Sequence, residues 1–85
     1  MVETVVVFSA RAHRDLRRID PRTRVRIVAG IGQYAETGVG DVKPLRAHAG
    51  LRLRVGDWRV FFRRSDEGVV EVDAILNRRE AYRRR

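Results

Sequence analysis

The sequence predicts an α+β fold, in which a small, mostly antiparallel four-stranded sheet carries an N-terminal two-helix hairpin on one face. Three observations favour this fold: an apolar β-branched run near the start, two amphipathic segments after it, and alternating apolar and charged residues from residue 51 onward. The element order is β-α-α-β-β-β, followed by a basic tail. We expect the 85 residues to form one domain spanning residues 1–85.

The first strand and the first helix follow each other directly. Residues 2–8 are apolar on both faces, so we expect a central strand. Ser9 is suited to cap the helix that begins after it, over about residues 10–19. The apolar residues of this helix that share one face are Ala12, Leu16 and Ile19.

The second helix begins after Asp20, which is a suitable N-cap, and Pro21 occupies its first position. We expect this helix to cover residues 21–36 and to end at Gly38 and Gly40. Its predicted buried residues are Val25, Val28, Ile31 and Ala35. Residues 38–50 show no periodicity and contain Pro44, so we expect a loop that Lys43 and Arg46 make positively charged.

Residues 51–64, LRLRVGDWRVFFRR, predict a β-hairpin with a two-residue turn at Gly56-Asp57. This turn pairs Val55 with Trp58 and places apolar side chains on one face. It also sets Arg54 directly opposite Arg59, where like charges repel. An anion bound on that face would explain the arrangement.

The last strand covers residues 69–76 and pairs with the second half of the hairpin through a loop at residues 66–68. The expected pairs on the core face are Phe62 with Val72, Val60 with Ala74 and Trp58 with Leu76. The expected pairs on the other face are Arg63 with Glu71, Phe61 with Asp73 and Arg59 with Ile75. The tail, residues 77–85, contains five arginines and Tyr82.

Composition narrows the possible functions. The net charge is +8, which favours a polyanionic partner such as nucleic acid, an acidic protein or a membrane surface. The absence of cysteine excludes disulfides and thiolate metal sites and fits a reducing cytosol. Because no apolar run approaches about 18 residues, we expect no transmembrane span, and the start does not predict a signal peptide.

Conventional catalytic groups are sparse. His13 and His48 are best explained as ordinary surface and loop residues, and Ser9 as a cap. The carboxylates lack the clustering that a metal site requires. The remaining candidate is a basic sheet face with Arg52, Arg54 and Arg59, which suits phosphate binding. Spacing alone leaves three interpretations open: a solvated basic face, nucleic-acid binding and catalysis.

The hairpin run, the KPLR segment and the end VVEVDAILNRREAYRR together resemble the RelE branch of the RelE/ParE toxin superfamily. The resemblance implies a cytoplasmic, metal-independent endoribonuclease without a cofactor, which cleaves messenger RNA on the ribosome. It implies that a cognate acidic antitoxin, encoded by an adjacent gene, neutralises the toxin in a hetero-oligomer. No membrane partner is implied. Two alternatives remain: a ParE-like inhibitor of DNA gyrase, and an inactive nucleic-acid or antitoxin-binding module.

The resemblance also implies which residues form the site. The catalytic residues that it implies are Arg52, Arg54, Arg59, Arg78 and Tyr82, with Arg79 replacing Arg78 if the register slips by one. The RNA-binding residues that it implies are Lys43, Arg46, Arg63, Arg79 and Arg83. Asn77 stands where many relatives have histidine, so no acid–base role is expected at that position.

Overall fold

The computed structural model describes residues 5–45 and 50–83, with side chains for all of these except Tyr82 and Arg83. Five strands form one sheet in the order β1-β5-β4-β3-β2. β1 runs parallel to β5, and the other neighbouring pairs are antiparallel. The elements in chain order are β1 (Val5–Phe8), α1 (Ala10–Arg17), α2 (Pro21–Thr37), β2 (Asp41–Pro44), β3 (Leu51–Val55), β4 (Trp58–Arg64), β5 (Val69–Asn77) and α3 (Arg78–Arg83).

The predicted α+β class is confirmed, but the sheet has five strands where four were expected. The additional strand, β2, lies in the segment that we expected to be a loop, and it pairs with β3 so that Lys43 is opposite Arg52. Its four residues contain too few apolar positions to show alternation, and it ends on Pro44. An edge strand tolerates proline because its outer N–H groups need no partner in the sheet.

The expectation that the first strand is central was wrong. β1 is an edge strand, bonded only to β5 within the described sheet. Val6 and Phe8 pack against the core, whereas Val5 and Val7 are 51% and 48% exposed. Strands that are apolar on both faces are typical of buried sheets, but here the helices cover only one face of β1.

The first helix forms as predicted and is bonded to the sheet. The Ser9 side chain accepts a hydrogen bond from the Ala12 N–H and donates one to the Asp73 carbonyl, at 3.0 and 2.8 Å. The Asp15 carboxylate accepts a hydrogen bond of 2.9 Å from the Ile75 N–H. These bonds serve the end of β5 that extends beyond β1, so α1 satisfies backbone groups that β1 does not reach.

The caps of α2 are as predicted, but its buried face is rotated. Asp20 caps the helix by accepting a hydrogen bond from the Thr23 N–H, and Gly38 ends the helix at a positive φ of 75°. Hydrogen bonding by the Thr23 side chain, and then by its N–H, holds the pKa of Asp20 below its usual value. Ile31 and Ala35 are buried as expected, together with Ile27 and Tyr34. Val25 and Val28 are exposed instead, at 67% and 43%. The sequence offers two apolar stripes at helical spacing, and packing selects the one with the larger side chains.

The close approach of α2 to the sheet depends on Gly30. A Cβ atom at this position would lie 3.1 Å from a methyl carbon of Val55. Because glycine has no Cβ atom, it permits this close packing of the helix on the sheet.

The hairpin register is confirmed, with Val55 opposite Trp58 and Arg54 opposite Arg59. The β4–β5 register is confirmed only for its first part. Phe62 is opposite Val72, but Phe61 is opposite Ala74, so Asp73 is an extra residue in a β-bulge. All later pairs are shifted by one: Val60 faces Ile75, Arg59 faces Leu76 and Trp58 faces Asn77. Alternation cannot reveal a bulge, because both registers place apolar residues opposite one another.

The two faces of the sheet are covered differently. The main core lies between the sheet and the helices α1 and α2, and it includes Ile27, Val60 and Phe62. On the other face Ala74 and Leu76 are also buried, beneath α3, which contacts β5 and β4. The tail that follows β5 therefore begins as a short helix on the face opposite α1 and α2.

No described helix has the length and apolarity needed to cross a bilayer.

Candidate functional site

The sheet surface opposite α1 and α2 carries Arg52 and Arg54 of β3 and Arg59 of β4, and we call it the arginine face. Arg54 is exposed and Arg52 is half-buried. Two-residue spacing puts Arg52 and Arg54 on the same side of β3, and the hairpin register places Arg59 beside Arg54. Three guanidinium-bearing residues thus share one surface, as predicted.

Arg59 is the least exposed of the three, at 7%. Its Nη1 donates hydrogen bonds to the carbonyl oxygens of Gly56 and Trp58, at 3.1 and 3.2 Å. The Nε of Arg54 lies 3.4 Å from the same Gly56 oxygen and donates to it. Two arginines therefore converge on one carbonyl, which offsets part of the repulsion between them. Arg59 stabilises the turn, while Arg54 remains at the surface.

The tail joins the arginine face through α3. The Arg78 N–H donates a 2.7 Å hydrogen bond to the Asp57 carbonyl in the hairpin turn. The Asn77 side-chain oxygen accepts a hydrogen bond of 3.1 Å from the Arg79 N–H and so caps α3. Arg78 and Arg79 are exposed. Together with Asp57, Asn77 and Glu80 they line an open cleft of about 700 Å³.

At the far end of β4, Arg63 is engaged by two carboxylates. Its Nε and Nη2 donate to the two oxygens of Asp73 at 3.1 and 3.2 Å, and Glu71 lies 3.5 Å away. The hydrogen bonds and charge of Asp73, reinforced by Glu71, raise the pKa of Arg63 above its ordinary value. An RNA phosphate would have to compete with this bidentate pair. The prediction that Arg63 binds RNA therefore stays a prediction.

The other predicted RNA-binding residues are distributed as follows. Lys43 is exposed on β2 beside Arg52 and extends the row of positive charge. Arg79 lies at the start of α3. Arg46 and His48 lie outside the described residues. The backbones of Tyr82 and Arg83 belong to α3.

Sequence reasoning missed residues that hold this site together. Asn77 was judged only for an acid–base role, yet Asn-Arg-Arg-Glu has the N-cap and N3 residue types of a capping box, a signal that was present in the sequence. Asp57 was taken as a turn residue, but its carbonyl anchors α3. Asp73, the extra residue of the bulge, binds Arg63. The expected pairing of Asp73 with Phe61 already placed Asp73 diagonally across from Arg63, so strand alternation was the signal that could have found this ion pair.

Acid–base and metal chemistry have little support in the described part of the chain. No group of three His, Cys, Asp or Glu residues is placed to hold a metal ion within residues 5–45 and 50–83. His13 is exposed, and its ring lies 5.6 Å from that of Phe8. The arrangement is suited to binding and stabilising a phosphate through guanidinium groups.

A known family and several solved structures share this sequence pattern and fold. A family model described as the ParE toxin of the type II toxin–antitoxin system, parDE, matches residues 6–82. A chain of the toxin–antitoxin complex RelBE2 from Mycobacterium tuberculosis is 29% identical, with a TM-score of 0.80, and the match covers 92% of this chain and 94% of that one. A comparison with curated protein sequences finds no significant match.

Two more distant structures share the fold. A chain of the RelB–RelE antitoxin–toxin complex from Methanococcus jannaschii is 21% identical, with a TM-score of 0.73 and coverage of 91% of this chain and 95% of that one. A chain of the intact E. coli RelBE complex is 18% identical, with a TM-score of 0.70 and coverage of 88% and 96%.

Proposed function

Since this chain belongs to the ParE toxin family of type II toxin–antitoxin systems, within the RelE/ParE superfamily, we propose that it is a RelE-like endoribonuclease that cleaves messenger RNA. The observation that carries the proposal is the convergence of Arg52 and Arg54 with the start of α3 on the arginine face. Grouped guanidinium groups suit RNA phosphates, because they are planar, permanently charged and able to bind two oxygens. The superfamily resemblance itself is confirmed.

The proposed reaction is an internal phosphoryl transfer. The ribose 2′-oxygen attacks the adjacent phosphorus, the bond to the 5′-oxygen breaks, and the products are a 2′,3′-cyclic phosphate and a 5′-hydroxyl. Negative charge accumulates on the phosphate oxygens, and Arg54 and Arg78 stabilise it from β3 and α3. Tyr82 orients the 2′-hydroxyl, whose proton passes to solvent water, and the departing 5′-oxygen takes a proton from water.

The remaining residues support this chemistry. Arg59 stabilises the turn by donating to the Gly56 carbonyl, which also accepts a hydrogen bond from Arg54. Arg52 and Lys43 continue the positive row and contact neighbouring phosphates. Arg79 and Arg83, together with Arg46, add charge along the RNA. Because the site has no strong base, alignment of the RNA on the ribosome supplies much of the rate through proximity.

The proposed partner that neutralises this toxin is an acidic antitoxin. The matched structures from M. tuberculosis, M. jannaschii and E. coli are toxin–antitoxin complexes. The solvent face of α2 presents exposed Val25 and Val28 next to Arg22 and Arg26, and the net charge of the chain is +8. An amphipathic acidic segment complements such a surface. We assign the antitoxin to this face of α2, with complex formation in the cytoplasm.

Induced expression followed by mapping of RNA ends tests the proposed function. Wild-type protein should arrest growth and produce discrete cuts in translated messenger RNA. Arg54→Ala and Arg78→Ala should each lower the cleavage rate by about 10²–10³-fold, as expected for loss of one donor to a developing anion. Arg17→Ala, which removes an exposed arginine of α1, should cleave like the wild type.

The ParE-like alternative has one observation in its favour, the name of the matching family model. It predicts that purified protein inhibits DNA supercoiling by gyrase and that induction triggers the DNA-damage response without cuts in messenger RNA. That result would replace the endoribonuclease proposal.

A further inference from the structure

We propose that the groove between the start of α2 and the Gly56–Asp57 turn binds one nucleotide next to the scissile phosphate, with its base stacked on Trp58. This inference rests on the proposed function, because it extends the same RNA path. The groove has a volume of about 370 Å³. Small-molecule sites span about 300–1,000 Å³, so one nucleotide is an appropriate occupant.

The floor of the groove is apolar and includes an aromatic ring. Ile27 is fully buried beneath it, and Val55 and Trp58 are half-buried and line it. Single-stranded nucleic acid binds proteins largely by stacking bases on aromatic side chains. Trp58 offers the largest ring in the chain for this purpose, at a position where part of it remains accessible.

The rim of the groove supplies positive charge from both sides. Arg26 of α2 and Arg54 of β3 both line it, and both are exposed. No ion pair engages Arg26 among the residues that the structure describes. A phosphate between these two guanidinium groups would be bound by charge and hydrogen bonds from both.

The groove is continuous with the arginine face. Arg54 belongs to both, because its side chain extends toward the turn and its Nε donates to the Gly56 carbonyl. Asp57 lines the groove and also the cleft at the start of α3. A single strand with its reactive phosphate at Arg54 and Arg78 would therefore place a neighbouring nucleotide in the groove.

The polar residues of the groove favour a nucleotide over an acidic protein segment. The Asp57 carboxylate can accept a hydrogen bond from the amino group of a base, whereas the carboxylate side chains of an acidic segment offer it no donor. Thr23 provides a hydroxyl that donates or accepts. The valines that we assign to the antitoxin, Val25 and Val28, do not line the groove.

Intrinsic fluorescence tests the stacking directly, because Trp58 is the only tryptophan in the chain. The probe is a trinucleotide that is 2′-O-methylated throughout, so that it cannot be cleaved. Titration should quench the tryptophan emission. Two further probes each lack the base of one terminal nucleotide, one at the 5′ end and one at the 3′ end. One of these two probes should bind with little quenching. Binding without quenching by any probe would overturn the proposal.

Salt dependence tests the charged rim. Arg26→Ala should lower the slope of log K against log salt concentration by about 0.7, the value for one phosphate contact on a single strand. Arg17→Ala changes the net charge by the same amount but lies outside the groove, so its slope should match that of the wild type.

The outcomes separate this inference from the proposed function. If wild-type protein cuts messenger RNA but Arg26→Ala has the same slope as Arg17→Ala, the groove assignment is wrong and the endoribonuclease proposal stands. If Arg26→Ala weakens antitoxin binding and leaves RNA binding intact, the groove belongs to the antitoxin. If wild-type protein neither binds nor cuts RNA, both proposals are overturned.

Discussion

At the scale of single residues, the arginines of the sheet differ in whether they already contact other groups of the protein. Arg63 and Arg54 occupy comparable alternating positions in the sequence and both are exposed, yet Arg63 is paired with the Asp73 carboxylate while Arg54 donates to the Gly56 carbonyl. Arg59 is nearly buried and donates to two backbone carbonyls. The arginines of this surface therefore differ in role, although their sequence pattern is uniform.

Asp15 is a residue whose importance only the tertiary structure reveals. Asp15→Ala should lower the free energy of unfolding by about 1–3 kcal/mol, because the part-buried Ile75 N–H loses its acceptor. Asp15→Asn keeps a side-chain oxygen in the same place and should cost clearly less. Urea unfolding of both variants measures the difference, and equal losses would show that the hydrogen bond contributes little.

At the scale of elements, α3 is a short helix whose position depends on its first residues. It has six residues, and isolated helices of this length are unstable, so the Asn77 cap and the Arg78–Asp57 hydrogen bond carry much of its stability. This helix contains Tyr82. The position of the segment that carries the proposed catalytic tyrosine thus depends on the Asn77 side chain and on the backbone hydrogen bond between Arg78 and Asp57.

Asn77→Ala should destabilise α3 by about 0.5–2 kcal/mol, the usual cost of losing an N-cap. The expected result is faster amide hydrogen exchange in α3 and up to about ten-fold slower RNA cleavage, with the free energy of unfolding of the sheet nearly unchanged. Asn77→Ser restores a capping oxygen and should recover the rate. A slow Asn77→Ser variant would point to a direct contact of Asn77 with RNA instead of a positioning role.

At the scale of the whole molecule, the proposed antitoxin and RNA surfaces meet at the start of α2. The antitoxin is assigned to Val25 and Val28, and the RNA path runs from the arginine face into the groove beside Arg26. The arginine face and its cleft are on one side, and the two long helices are on the other. The antitoxin proposed for α2 would then bind without covering every catalytic arginine. Inhibition in that case requires a second segment of the antitoxin, or a clash with the ribosome.

The valines of α2 allow a matched test of this assignment. Val25→Ser should weaken antitoxin binding by about ten-fold or more, since burying a valine contributes about 1.5 kcal/mol or more. Val39→Ser is the control, because Val39 is 65% exposed, close to the 67% of Val25, but lies outside α2. Calorimetric titration with the antitoxin measures both. Equal affinities for the two variants would place the antitoxin elsewhere, for example on the arginine face.

Local sequence determined much of this protein. Caps at Ser9 and Asp20, the Gly38 terminus and the two-residue turn at Gly56–Asp57 were all predicted correctly, because each depends on the conformational preferences of a few adjacent residues. The placement of Arg52, Arg54 and Arg59 on one surface followed from the two-residue period of strands. The family followed from these same motifs.

Tertiary structure alone decided the remaining features. Tertiary packing determines which face of α2 is buried and places β1 at the edge of the sheet. It also pairs β2 with β3 and makes Asp73 the extra residue of a bulge. In each case the alternatives satisfy the same local pattern and differ only in contacts between residues far apart in the chain. The division of the arginines into exposed, bound and buried groups depends on those contacts, and so does the shape of the candidate site.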